Sequence, residues 1–281
     1  MLRSNFLIHW TGKDFDLRRS KRLNDDLRER YVDRLFDIVE NGFWMNAPKE
    51  QLTGGNARAS SGSISYKYFA NMTCFTEIRL SQCHTHAKQY GQLGVGVDRK
   101  FVLDRWGSPV HYVRNRGDEH IVGAFFDLRV VLLNAKNKYV RFKNAMAKDS
   151  ALKDVVDRHP LIKSYVLLDS RLEHAEKNAN YIGTFFKAMS SIAGREDFKT
   201  LEEHEWRIVA TQGQNDKWNI VYTGPTEPLF KLKIAPSDVR LIVLPDKKTR
   251  ELAVQNPKMK LCFWKPNLHP PILTLADCSS L

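Results

Sequence analysis

The sequence predicts an α+β protein: a mixed, mostly antiparallel sheet drawn from both ends of the chain and interrupted by a helical insertion. Two observations carry that expectation. Short β-forming runs bounded by Gly, Pro and Asp occupy the first part of the chain and return from His204 onward, and between them lies a long stretch with helical spacing of apolar residues. The expected organisation is one domain over 1–281, with a β-rich core from 1–117 and 194–281 and a helical insertion at 118–193.

In chain order, Asn5–Gly12 reads as an apolar strand that ends in His9 and Thr11 beside a glycine. Arg28–Val39 places Tyr31, Val32, Leu35, Phe36, Ile38 and Val39 at helical spacing, and Asn41-Gly42 terminates that helix. Lys49–Ser65 is rich in Gly, Ser and Asn without a period and reads as a long loop. Met72–Ile78 is a short buried strand. Ser81 is the expected cap of a helix that runs to Tyr90 and stops at Gly91. Gly94–Val97 is a strand whose missing side chains admit a close neighbour, and Pro109–Val113 follows the turn at Trp106-Gly107-Ser108.

Ile121–Leu133 is strongly apolar, and the sequence then turns basic and helical up to about Ala193. Arg129, Lys136, Lys138, Arg141, Lys143 and Lys148 form a basic run with no acidic residue before Asp149. His159-Pro160 is a break, and Val166–Met189 reads as one helix. In His204–Ala210, the two-residue period puts Glu205, Arg207 and Val209 on one strand face together with Glu203. Lys217–Tyr222, Leu229–Ile234 and Val239–Val243 are further strands, and the tail from Met259 folds back over the core.

Composition limits the functional classes. A net charge of +12 over 281 residues favours polyanionic partners such as nucleic acid. No apolar run approaches the ~20 residues that a membrane span requires, and the amino-terminal segment lacks a signal-peptide pattern, so the expected location is the cytoplasm. Cys74, Cys83, Cys262 and Cys278 show no C-x-x-C spacing and are expected as reduced thiols. His84 and His86, two apart on a helix, do not share a face, so no metal site is expected. Gly94-x-Gly96 lacks the third glycine and following helix of a dinucleotide fingerprint.

Leu7-Ile8-His9-Trp10-Thr11, Tyr31–Trp44, Cys74–Ile78, Gly94–Val97 and Glu205–Val209 occur in an order that resembles the AbiGi family of abortive-infection phage-resistance proteins. That resemblance implies bacterial phage defence and a partner toxin encoded beside it. A looser likeness is to ADP-ribosyltransferases of the DarT kind, which open on a strand carrying His-x-Thr and place a glutamate on a late strand. It implies NAD as cofactor, with His9 holding a ribose hydroxyl, Thr11 also binding the cofactor, Tyr90 or Tyr112 stacking on nicotinamide and Glu205 as the catalytic carboxylate. Two classes therefore stand side by side: an ADP-ribosyltransferase acting on nucleic acid or protein, and a non-catalytic antitoxin or binding module for a toxin or nucleic acid. For Glu205 there is also an alternative role, an in-strand ion pair with Arg207 at the sheet surface.

Overall fold

The computed structural model describes residues 6–16, 23–47, 51–55, 63–67, 70–113, 120–159, 168–188, 204–210, 220–222, 230–264 and 269–280. In order these form β1 (Phe6–Thr11), α1 (Lys13–Asp16), α2 (Asp25–Asn41), β2 (Phe43–Met45), β3 (Gln51–Gly55), β4 (Ser63–Lys67) and β5 (Met72–Thr76). A 3-10 turn, Leu80–Gln82, leads into α3 (Cys83–Tyr90), β6 (Leu93–Asp98), α4 (Arg99–Leu103), β7 (Ser108–Pro109) and β8 (His111–Val113). There follow α5 (His120–Lys148), α6 (Ser150–Arg158), α7 (Leu168–Gly183), β9 (Phe186–Ala188), β10 (Glu205–Val209), β11 (Ile220–Tyr222), β12 (Phe230–Leu232) and β13 (Val239–Leu244). The chain closes with α8 (Lys247–Gln255), α9 (Pro257–Phe263), β14 (Ile272–Thr274) and α10 (Leu275–Ser279). The α+β class is as the sequence predicts.

Two compact units result: one from Met1–Pro48, Phe69–Val110 and Arg195–Leu281, the other from Lys49–Tyr68 and His111–Gly194. In the first, seven strands run in the order β14-β13-β6-β1-β5-β10-β7, antiparallel except for the β13/β14 pair. Early and late segments thus alternate in one sheet. Its two faces bury different helices, because alternate residues of each strand point to opposite sides. Leu7, Val95, Val97, Phe75 and Ile208 meet the inner stripe of α2, Tyr31, Leu35 and Phe36 among it, with Met259 and Phe263 of α9. Ile8, Trp10, Leu241 and Val243 meet Cys83 and Ala87 of α3 and Leu275 and Cys278 of α10 on the other side.

Local chemistry fixes the ends of these elements. Asn24 caps α2 by accepting from Leu27 N at 2.9 Å, and Gly42 ends it with φ 100°, where a Cβ would lie 2.4 Å from the Leu232 carbonyl oxygen. The glycines of β6 serve close packing. A Cβ on Gly94 would meet the Trp10 ring at 3.0 Å, and one on Gly96 would meet the Leu241 Cβ at 2.9 Å.

The second unit holds the long helix α5 against α6 and α7, the β3/β4 hairpin and the parallel β8/β9 pair. Three expectations need correction here. The glycine- and serine-rich stretch read as a loop contributes a hairpin, since main-chain pairing from Gln51↔Lys67 to Gly55↔Ser63 needs no alternating side chains. Val166–Met189 is not one helix: α7 ends at Gly183, and Phe186–Ala188 pairs with His111–Val113. Pro109–Val113 is not one strand either; Ser108–Pro109 joins the large sheet, while His111–Val113 belongs to the second unit. In the tail, β14 extends the large sheet beside β13, which goes beyond covering the core.

Candidate functional site

The residues expected to share a cleft are divided by the sheet. Ile8 pairs with Thr76 in antiparallel register, which sets His9 level with Phe75. Glu205 pairs with Thr76 and Trp206 with Phe75. Phe75 and Thr76 are successive residues, so they and the side chains level with them point to opposite faces.

His9 Nδ1 donates to the Cys74 carbonyl at 2.9 Å, and the ring lies edge-on to Phe43 and Phe75, with centroids 4.8 and 5.9 Å away. Burial pushes its pKa down to about 4, with the Arg34 guanidinium adding to the shift and the Cys74 carbonyl opposing it. His9 is therefore neutral at pH 7. Thr11 Oγ1 accepts from Arg34 Nη1 at 3.2 Å, and Arg34 is itself packed over the Phe15 and Trp44 rings. Both residues face the α2 side.

Glu205 lies on the opposite face, where its Oε1 accepts from Arg207 Nε at 2.7 Å. The pair is buried, with side chains 7% and 1% exposed, so the expected surface ion pair is an interior one. Tyr90 packs with the Ile8 and Trp10 cluster on that same side and stacks on His86, with centroids 6.2 Å apart. Tyr112 belongs to the second unit. His9 and Thr11 thus lie on one face of the sheet, and Tyr90 and Glu205 on the other. Among the described residues no group of three or more His, Cys, Asp or Glu could hold a metal ion. The four cysteines are free thiols.

A different feature stands out at the end of α4. Asp98 caps this helix by accepting from Lys100 N at 2.9 Å, and Phe101 and Val102 turn into the core. Leu103 and Trp106 turn outward, 50% and 53% exposed. Main-chain hydrogen bonds lock the turn: Asp104 N to the Lys100 carbonyl, Arg105 N to that of Val102, Trp106 N to that of Leu103, and Gly107 N again to that of Val102, at 2.9 to 3.2 Å. Trp106 adopts φ 57°, a left-handed conformation costly for a bulky residue. Gly107 is required, since a Cβ would lie 2.3 Å from Val102 Cγ1. Beneath the turn, the Arg105 guanidinium sits 3.7 Å from the Phe101 ring centroid and donates to the Phe101 carbonyl at 2.9 Å. Sequence reasoning took Trp106 only as part of a turn. The signal was there in the large aromatic itself, because a turn at the surface offers an indole no core to enter.

A family model described as "Putative abortive phage resistance protein AbiGi, antitoxin" matches residues 56–245. The chain belongs to the AbiGi family. Its role is accordingly in abortive infection and phage resistance, and the description of AbiGi as an antitoxin implies a toxin partner. No curated protein matches the chain, and no solved structure does. Leu103 and Trp106 lie inside the AbiGi match, as do Tyr90 and Glu205, whereas His9 and Thr11 lie outside it. Among the described residues, no helix is long and apolar enough to cross a membrane.

Proposed function

We propose that this AbiGi chain restrains its partner toxin by direct contact, with Leu103 and Trp106 as the anchoring side chains. The observation that carries the reading is the locked turn between α4 and β7, which holds a leucine and an indole half-exposed inside the family-matched segment. Binding energy concentrates on a few residues, tryptophan prominent among them, and a contact presented by a rigid backbone avoids the ordering cost of a mobile loop.

Transfer of ADP-ribose from NAD is the competing reading. It asks His9 and Glu205 to meet on one substrate, and the register of β1, β5 and β10 argues against it. Each side chain is also engaged within the fold, His9 with the Cys74 carbonyl and Glu205 with Arg207.

Growth rescue tests the proposal. The toxin encoded beside this chain is induced in a bacterial host, with the wild type or the Leu103→Ala/Trp106→Ala variant supplied in trans. The wild type is expected to restore growth, and the double variant, at equal protein level, to fail. Equal rescue by both would overturn the assigned contact.

A further inference from the structure

We infer that the outer face of α5 is a nucleic-acid-binding strip formed by Lys138, Arg141 and Lys148. At about 100° per residue these three cations fall within an arc of roughly 80°, and they span about 15 Å of helix at 1.5 Å per residue. All three are exposed, and none has an ion-pair partner among the described residues. Two other cations of the helix are used differently. Lys136, on the flank packed against α7, pairs with Glu176 at 2.5 Å, and Arg129 lines a cavity of about 240 Å³ with Phe126, Leu132, Leu133 and Ala179.

The residues between the cations decide the kind of partner. From Asn134 to the helix end, an arc of roughly 120° holds Asn134, Asn137 and Asn144 beside the three cations, with Ala145 as its one apolar member and no carboxylate. An interfacial membrane helix needs bulky apolar residues along its lipid-facing side; the arc from Asn134 to the helix end has none, and the exposed Val131, Leu133 and Val140 of α5 lie outside it. Lysine and arginine neutralise phosphates, while the asparagine amide donates and accepts together, which suits sugar and base edges. The chain's +12 charge adds a long-range attraction of the same sign. The strip lies in the second unit and Trp106 in the first, so the two surfaces are tested separately.

Fluorescence anisotropy on the full chain tests the inference, with a labelled 30-base-pair duplex DNA and a labelled 30-nucleotide single-stranded RNA between 50 and 200 mM salt. Three neutralised phosphates give a log–log slope of about −2.7 on duplex and about −2.1 on single strands, so duplex affinity should fall about forty-fold across that range. The tighter probe identifies the form of nucleic acid. Lys138→Ala/Arg141→Ala/Lys148→Ala is expected to weaken binding at least ten-fold at 100 mM salt and flatten the slope with melting unchanged. Lys88→Ala/Lys247→Ala/Lys248→Ala, which removes equal charge from the first unit, should change it less than three-fold. The inference is overturned if the two variants bind alike, if neither probe binds with this salt dependence, or if polyglutamate competes as well as nucleic acid, which would mark an acidic protein as the partner.

Discussion

His9 and Glu205 point to opposite sides of one sheet, because they stand level with Phe75 and Thr76, which are consecutive on β5. Each completes an interaction inside the fold, and neither leaves its polar group aimed at a common cleft. Their effects on substitution should therefore be read in stability.

For Glu205 that effect is large. Replacing it by leucine removes the carboxylate 2.7 Å from Nε of the Arg207 guanidinium, which is 1% exposed. Loss of one partner of a buried pair typically costs about 3–5 kcal/mol. Urea denaturation of Glu205→Leu should show a loss of that size, and a loss below about 1 kcal/mol would mean that the carboxylate is free for another role.

His9 makes stability depend on pH. Its folded pKa of about 4 lies below the ordinary 6.5, so between those values the unfolded chain binds a proton that the folded chain does not. The contribution is fully present above pH 6.5, declines as the pH falls toward 4, and amounts to no more than about 3 kcal/mol. Melting temperatures of the wild type should drop between pH 6.5 and 4.5, and the drop should be smaller in His9→Phe. Parallel curves for the two would contradict this assignment.

Gly91 closes α3 at φ 111°, with its N–H donated to the Ala87 carbonyl at 2.9 Å. An added Cβ would lie 2.3 Å from the Thr11 carbonyl oxygen and 2.4 Å from Lys13 N. Backbone cannot yield as a flexible side chain does. Gly91→Ala should cost about 2–4 kcal/mol in urea unfolding, combining left-handed strain with the clash.

Much of the fold was legible because local signals agree with the structure. The period of Tyr31, Leu35 and Phe36 marks α2, Gly91 ends α3, and alternation in Glu205–Val209 puts Glu205, Arg207 and Val209 on one face as expected. What alternation leaves open is which face of the sheet that is, since the answer depends on how β10 and β1 each register against β5, nearly 130 residues from the one and about 65 from the other. A one-residue step exchanges the faces. The burial of the Glu205–Arg207 pair was hidden for the same reason, as five residues of strand do not say what covers them. The hairpin of Gln51–Gly55 with Ser63–Lys67 was missed because it has no apolar period, and the short strand at Phe186–Ala188 because the preceding helix pattern overran it. At Leu103 and Trp106 the residue types were visible, but their outward presentation follows from a left-handed residue and a glycine packed on Val102.

Restraint by contact is tested most directly by calorimetric titration of the purified chain into its partner toxin. A stable complex is expected, the toxin's mass unaltered, with the Kd weakened at least ten-fold by Leu103→Ala/Trp106→Ala at unchanged melting temperature. A toxin silenced without any complex, or recovered carrying covalent ADP-ribose, would contradict it.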